Sequence, residues 1–197
     1  MSAHPTTSEK ILLAAITLMA EKGYDGTTTR EIALAAGVNE VTLFRHFGTK
    51  EKLLEAAFSQ FHYGNEMTKL FSEGLKGNLY EDLLTLSRTY HSLMNRNRNL
   101  ISIALKGSHT LPDSVLQEAS RNPKQLKNLL ADYLTKMSSE GKAASSNPEI
   151  QALSFMWMNY GAFISTLNAK EAVSEAARDE FIEESVHLFA KALSPNA

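Results

Sequence analysis

The sequence predicts an all-α protein. Three observations carry that reading. Apolar residues recur at spacings of three and four along the whole chain, the period of helices that bury one face. Sustained two-residue alternation is absent, and no Asn-Gly or Asp-Gly pair joins two alternating stretches. Helix start signals are frequent. Thr6 with Glu9, Thr28 with Glu31 and Asn78 with Glu81 each place a capping side chain three residues before a carboxylate, while Asn122-Pro123 and Asn147-Pro148 pair a cap with a proline at the first helical position.

These signals order the elements. A helix over about 7–22 opens at Thr6 and stops at Gly23, and a second over about 29–36 opens at Thr28 and stops at Gly37. A third spans about 40–46, and a long fourth, capped by Thr49, spans about 50–73. Further helices are expected over about 79–96, 98–106, 112–119 and 123–139, the last stopping at Gly141, and then over about 148–168 and 174–193. The first elements are short and tightly spaced, which places a domain break inside the helix that begins at Lys50: residues 1–55 and 56–197.

Across 197 residues, 20 Lys plus Arg stand against 22 Asp plus Glu, and 43% of residues are hydrophobic. That is enough apolar mass for a sizeable core and too balanced a charge for a disordered tail. The absence of cysteine excludes disulfides, a thiol nucleophile and Cys-ligated metal centres, and with no apolar leader near the N-terminus a cytoplasmic location is expected. Ile150 to Ala169 carries no charge, but Gln151, Ser154, Asn159, Ser165, Thr166 and Asn168 would each need a partner in hydrocarbon. A helix buried by protein is expected there, and no membrane contact.

The informative stretch is Thr28 to Phe47. One capped helix of about two turns ends at Gly37, and a second begins after a very short turn, the sequence form of a helix-turn-helix. Ile32 and Ala36 face inward from the first helix, Leu43 and Phe47 from the second, and Val38 plugs the turn. Glu40, Val41, Thr42, Phe44 and Arg45 are left pointing outward. This face suits the major groove: Arg45 can fork onto guanine, Glu40 can accept from a cytosine amino group, and Val41 or the Thr42 methyl can meet a thymine methyl. The alternative is a small helix packed by Phe44 against the rest of the protein. Lys50, at the first position of its helix, opposes the helix dipole unless a phosphate is bound, so it reads either as a phosphate clamp or as a solvated lysine beside Glu51. Residues 1–60 carry six cations against seven carboxylates, so any DNA affinity rests on a focused patch of Arg30, Arg45, His46, Lys50 and Lys52.

Taken together, Gly23-Tyr24, Thr27-Thr28-Thr29, Glu31-Ile32-Ala33, Ala36-Gly37-Val38, Thr42-Leu43-Phe44, His46-Phe47 and Lys50-Glu51-Lys52-Leu53-Leu54, within Ile11 to Phe58, resemble the N-terminal domain of TetR/AcrR-family transcriptional regulators. The resemblance implies a helix-turn-helix DNA-binding domain followed by a larger helical ligand-binding and dimerisation domain. It implies a homodimeric repressor on a palindromic double-stranded DNA operator, released by a small-molecule inducer. By position it assigns Thr29, Phe44, His46 and Lys50 to phosphates, and Arg30, Glu40, Val41, Thr42 and Arg45 to base edges, with Thr28 and Asn39 beside them. Phe44 departs from the family's usual tyrosine, so a phosphate-bonding hydroxyl is missing. Glu40 is acidic in an anionic groove.

Beyond Phe58 the pattern is less specific. Ile150 to Asn168 is apolar nearly all round, and the helix from Asp179 onward has one apolar face. The family resemblance implies a two-fold four-helix interface, with Leu153, Trp157, Phe181, Ser185, Leu188 and Phe189 as candidates. Tyr90, Met94, Tyr133, Met137, Met156, Trp157, Tyr160 and Phe163 are candidates for an apolar ligand pocket, each with plain core as its alternative. Arg88, Arg96, Arg98 and Arg121 are candidates for an anionic headgroup. His62, His91, His109 and His187 have no partner at metal-ligand spacing, and nucleotide-binding, zinc-protease and serine-hydrolase motifs are absent. No metal, cofactor or enzymatic activity is expected.

Overall fold

A computed structural model describes residues 5–61, 64–167 and 174–195. Among these residues there are ten α-helices and no strand: α1 (Thr7–Lys22), α2 (Thr29–Ala35), α3 (Glu40–Phe47), α4 (Lys50–Gln60), α5 (Gly64–Lys69), α6 (Leu79–Arg96), α7 (Arg98–Lys106), α8 (Asp113–Ser139), α9 (Pro148–Leu167) and α10 (Glu175–Ala192). His62 and Asn168 lie outside the described residues.

The chain forms two compact units, and they are not the sequential pieces expected with a break at 55/56. One comprises residues 1–62 and 97–121, the other 63–96 and 122–197. In the first, Ile11, Leu12, Ala15 and Met19 of α1 are fully buried against Ile32 of α2, Leu43 of α3, and Leu53, Leu54 and Ala57 of α4. Leu100 and Ile103 of α7, with Leu111 and Val115, close the same core. Burying such a side chain stabilises by about 1.5–3 kcal/mol. The Lys106 ammonium donates to the Ala20 carbonyl at 2.8 Å and ties α7 to the end of α1.

Local signals set the helix starts. Reciprocal capping boxes join Thr6 to Glu9 and Thr28 to Glu31, and the Asn78 side chain accepts from the Glu81 amide. Two expectations fail. The helix expected over 50–73 is interrupted: α4 ends at Gln60, α5 starts at Gly64, and a π-helical turn covers Leu70–Gly74. Gly64 at the break is a poor helix former. The two helices expected over 112–119 and 123–139 are one 27-residue helix, with Pro123 inside it. A proline there removes a hydrogen bond and costs about 3 kcal/mol, yet Val115 on one side and Leu126, Leu130 and Leu134 on the other are buried, so tertiary packing wins over the local stop signal. Asn122 caps nothing; its buried Oδ1 has no hydrogen-bond partner.

In the second unit α6 packs on α10 and α9. Buried Asp82 organises the entry to α6: its carboxylate accepts from the Lys76 and Gly77 amides at 2.7 and 2.8 Å and from the Tyr133 hydroxyl at 2.8 Å. Burial and that bond to Asp82 push the Tyr133 hydroxyl's pKa well up, so it stays a donor. Ser87 on α6 donates to Asn159 on α9 at 2.8 Å, and Asn159 in turn donates to the Phe155 carbonyl.

Candidate nucleic-acid interface

The helix-turn-helix is built by short-range hydrogen bonds. Between α2 and α3 the Val38 amide donates to the Ala33 carbonyl, and Gly37 takes a φ of 68°, a conformation side-chain-bearing residues rarely adopt. The Asn39 side chain accepts from the Val41 amide at 2.9 Å and starts α3. Leu43 is fully buried and Phe47 half-buried, which turns the opposite face of α3 outward.

On that face Val41 is 73% and Phe44 44% exposed, and Arg45 and His46 are also open to solvent. Val41, Phe44 and Arg45, at spacings of three and four, share one side of the helix. Arg30 on α2 is exposed, and neither arginine is paired with a carboxylate among the described residues. Thr42 is half-buried. The alternative of Phe44 packed into the protein is thus not what the structure holds. Leu34 on α2, 81% exposed, was not singled out in the sequence; nothing in its helical spacing marks it apart from a core leucine.

Several expected contact residues are engaged inside the protein. Thr28 is the cap of α2. The Thr29 hydroxyl donates to Glu40 at 2.6 Å, joining the starts of α2 and α3. That bond occupies one carboxylate oxygen of the candidate cytosine reader. The clearest correction concerns Lys50: its ammonium donates to the Tyr24 and Thr27 carbonyls at 2.8 and 3.1 Å and sits 4.1 Å from the Tyr24 ring centroid. It is neither a free phosphate clamp nor a solvated lysine. It closes the connection between α1 and α2, and only Arg30, Arg45, His46 and Lys52 remain as exposed basic side chains of the expected patch.

Charge also fastens α2 to α1. Glu31 accepts from Lys22 at 2.7 Å and from the Thr28 amide and hydroxyl. The bond from Lys22 first, and those from Thr28 after it, hold the Glu31 carboxyl down at about 2 against an ordinary 4.5. The folded form binds this proton less tightly than the unfolded chain, so the contribution is complete above about pH 4.5 and is lost as pH falls toward about 2. Glu31→Gln is expected to flatten the acid limb of thermal stability across that window; an unchanged limb would show that Glu31 does not set it.

The second unit holds an apolar cavity lined by Met67, Phe71, Leu86, Tyr90, Leu126, Leu130, Phe155, Met156 and Asn159. The space left between them admits about one water-sized sphere. Of the expected pocket residues, Tyr90 and Met156 line it. Met94, Met137 and Phe163 are buried but do not, Tyr133 is bonded to Asp82, Tyr160 is half-buried, and Trp157 is 66% exposed. The cavity's remaining lining residues carried no signal distinguishing them from core. Three of the expected headgroup arginines are paired: Arg88 with Asp179 and Glu183, Arg96 with Glu66, and Arg121 with Glu118.

Among the expected interface residues, Trp157, Phe181 and Leu188 are 66%, 43% and 67% exposed. Leu153, Ser185 and Phe189 are half-buried, Phe189 with its ring edge-on to Phe155 at 5.1 Å. Ile150, 56% exposed, joins the apolar residues of α9 that sequence reading passed over.

The profile of the family described as bacterial regulatory proteins, tetR family, matches residues 11–57. The HTH-type transcriptional regulator YvkB of Bacillus subtilis is 35% identical over 188 residues, which is 95% of this chain and 97% of that protein. The chain belongs to the TetR family. It is a DNA-binding transcriptional regulator of the helix-turn-helix type, in a family that is not enzymatic. IcaR of Staphylococcus aureus, named as a negative transcriptional regulator of a biofilm operon, is 24% identical over 177 residues, 89% of this chain and 93% of its own. Among solved structures, AibR in complex with isovaleryl coenzyme A and operator DNA superposes with a TM-score of 0.70 at 22% identity, covering 93% of this chain and 97% of AibR. At that identity the likeness speaks to the TetR fold alone. No helix among the described residues is long and apolar enough to cross a membrane.

Proposed function

We propose that this TetR-family regulator is a repressor: a homodimer that reads an inverted-repeat operator through α2 and α3 and is released by a small, mainly apolar inducer. The reading head belongs to the unit of residues 1–62 and 97–121, and the ligand-binding and dimerisation elements to the unit of residues 63–96 and 122–197. The observation that carries the reading is the outward face of α3, where an unpaired arginine stands beside two exposed apolar side chains, Val41 and Phe44. Water alone would not favour that mixture; base edges with an acceptor pair and a methyl group would. A two-fold protein presents two such helices, so half-sites about 34–36 Å apart or somewhat further are expected.

The apolar cavity supports the inducer. Met67 and Met156 on its wall are unbranched and adaptable, so a ligand can enlarge a space that is nearly filled in its absence. To release DNA it must favour a conformation that binds operator poorly, and a coupling of about 1–3 kcal/mol would weaken binding roughly 5- to 150-fold. AibR, bound to both an acyl thioester and operator DNA, supports such a pairing of sites on this fold.

The test is Arg45→Ala, assayed by anisotropy against a panel of single-base operator variants. The loss of a bidentate contact is expected to flatten preference at one position of each half-site by about 1–3 kcal/mol. An unchanged ranking of the variants would remove α3 as the reader.

A further inference from the structure

We propose that Thr29 sets base preference without touching a base, by fixing the Glu40 carboxylate so that one of its oxygens is left to accept from a cytosine amino group in the major groove. The proposal rests on α3 as the reading helix. Thr29 is the first residue of α2 and Glu40 the first of α3. Side chains on a helix lean toward its N-terminus, which carries Glu40 back toward the start of α2, and there the Thr29 hydroxyl donates to its Oε1 at 2.6 Å. Both residues are half-buried, whereas Val41 beside Glu40 and Phe44 one turn further on are 73% and 44% exposed. Glu40 thus stands at the margin of the outward face. Among the described residues Oε2 accepts no hydrogen bond, and no cationic side chain pairs with the carboxylate.

A carboxylate carried into an anionic groove is repelled by the phosphates, and a free one would turn away toward water. The bond from Thr29 holds it. With Oε1 occupied, the side chain has lost most of its rotamer freedom and offers one acceptor and no donor. The four base edges meet that oxygen differently. Cytosine presents its N4 amino donor with no acceptor beside it, while the N6 donor of adenine has the N7 acceptor next to it, which repels the charge. Guanine and thymine present only acceptors and are rejected. Cytosine therefore ranks first and adenine second. The role of Thr29 follows from a hydroxyl having a single proton to donate. The phosphate contact that the family resemblance implies at Thr29 and the bond to Glu40 exclude one another, and their consequences differ. A phosphate contact strengthens every sequence alike, whereas a positioning bond strengthens one base at one place.

The experiment selects binding sites from randomised double-stranded DNA with the full-length protein and its variants, and reads base frequencies at every position of the enriched half-site. The wild type is expected to favour cytosine about 5- to 10-fold over guanine or thymine at one position, the low end of what a direct base contact provides. Thr29→Val keeps the shape and removes the proton, so that preference is lost while the rest of the half-site stays; Thr29→Ser recovers it. Glu40→Gln gives a second, independent outcome. A free glutamine bonds adenine through both its oxygen and its amino group, but one whose oxygen is held by Thr29 has only the amino group left, so the preferred base becomes guanine or thymine. Thermal unfolding followed by circular dichroism shows whether each variant is folded, and should Thr29→Val unfold, the base chosen by Glu40→Gln decides. A wild-type half-site with no such cytosine, or adenine chosen by Glu40→Gln, overturns the proposal. So does a cytosine preference that survives in Thr29→Val: weaker binding to all sequences then makes Thr29 a phosphate contact, and a lower melting temperature alone makes it a structural tie. If Arg45→Ala flattens a position and the Thr29 and Glu40 variants flatten none, α3 remains the reader and this proposal fails alone. If none of these variants changes any position, the reading of α3 fails with it.

Discussion

Leu188→Glu is expected to turn the proposed homodimer into monomers and to abolish operator binding at micromolar protein. Leu188 on α10 is 67% exposed, and Trp157 and Ile150 on α9 and Phe181 on α10 are likewise open to solvent. Large apolar side chains grouped on two helices mark a surface that a partner covers. A two-fold interface contains every residue twice, so the substitution forfeits the burial of two leucines, about 1.5–3 kcal/mol each. It also places two carboxylates in an apolar contact, at several kcal/mol more. A total of about 5 kcal/mol or more corresponds to at least a thousandfold weaker dimer. Because the side chain is exposed within a single chain, the helical content of the variant should be that of the wild type. Sedimentation velocity is the direct measurement. A wild-type monomer at micromolar concentration, or a dimer that survives the substitution, would show that α9 and α10 do not form the interface.

Lys50→Ala is expected to act on folding before it acts on DNA. The ammonium makes two hydrogen bonds to backbone carbonyls that join α4 to the segment between α1 and α2, and it lies over the Tyr24 ring. Hydrogen bonds from a charged donor contribute about 1.5–3 kcal/mol each and a cation–π contact about 0.5–2. These contributions overlap, so a loss of about 2–4 kcal/mol in urea unfolding is the expected outcome. Operator affinity should fall only with the fraction of protein that remains folded. If stability holds and the dependence of log affinity on log salt instead drops by about one, Lys50 leaves its carbonyls for a phosphate when DNA binds.

That residue illustrates what the sequence can and cannot convey. Its charge and its place at a helix start were plain, but its partners lie 23 and 26 residues back along the chain, and no local pattern encodes them. The capping boxes at Thr6 and Thr28 were legible because cap and carboxylate are three residues apart and satisfy each other in any context. So was the outward face of α3, which follows from helical period once Leu43 is taken as the anchor. Pro123 misled for the opposite reason: its local preference is strong, but buried apolar side chains on both sides, Val115 before it and Leu126, Leu130 and Leu134 after it, hold the helix continuous through it. In the second unit, Met67, Phe71 and Leu130 border a cavity, while Met94 and Phe163 fill core. Hydrophobic spacing is the same for both, and only the meeting of four separate helices distinguishes them.

The reading head is not a contiguous stretch of chain, and this bears on how the protein is made. The core around α1 and α2 is completed by Leu100, Ile103, Leu111 and Val115, which leave the ribosome long after Leu43 and Leu54. Until then a nascent chain carries most of a helix-turn-helix with one wall of its core open to water, and α5 and α6 must be synthesised before the closing helices arrive. A fragment that stops at residue 60 would be left in the same condition permanently. Completion of the core beneath the helix-turn-helix is thereby deferred until more than half of the polypeptide exists, and a product terminated before α7 would lack that wall altogether.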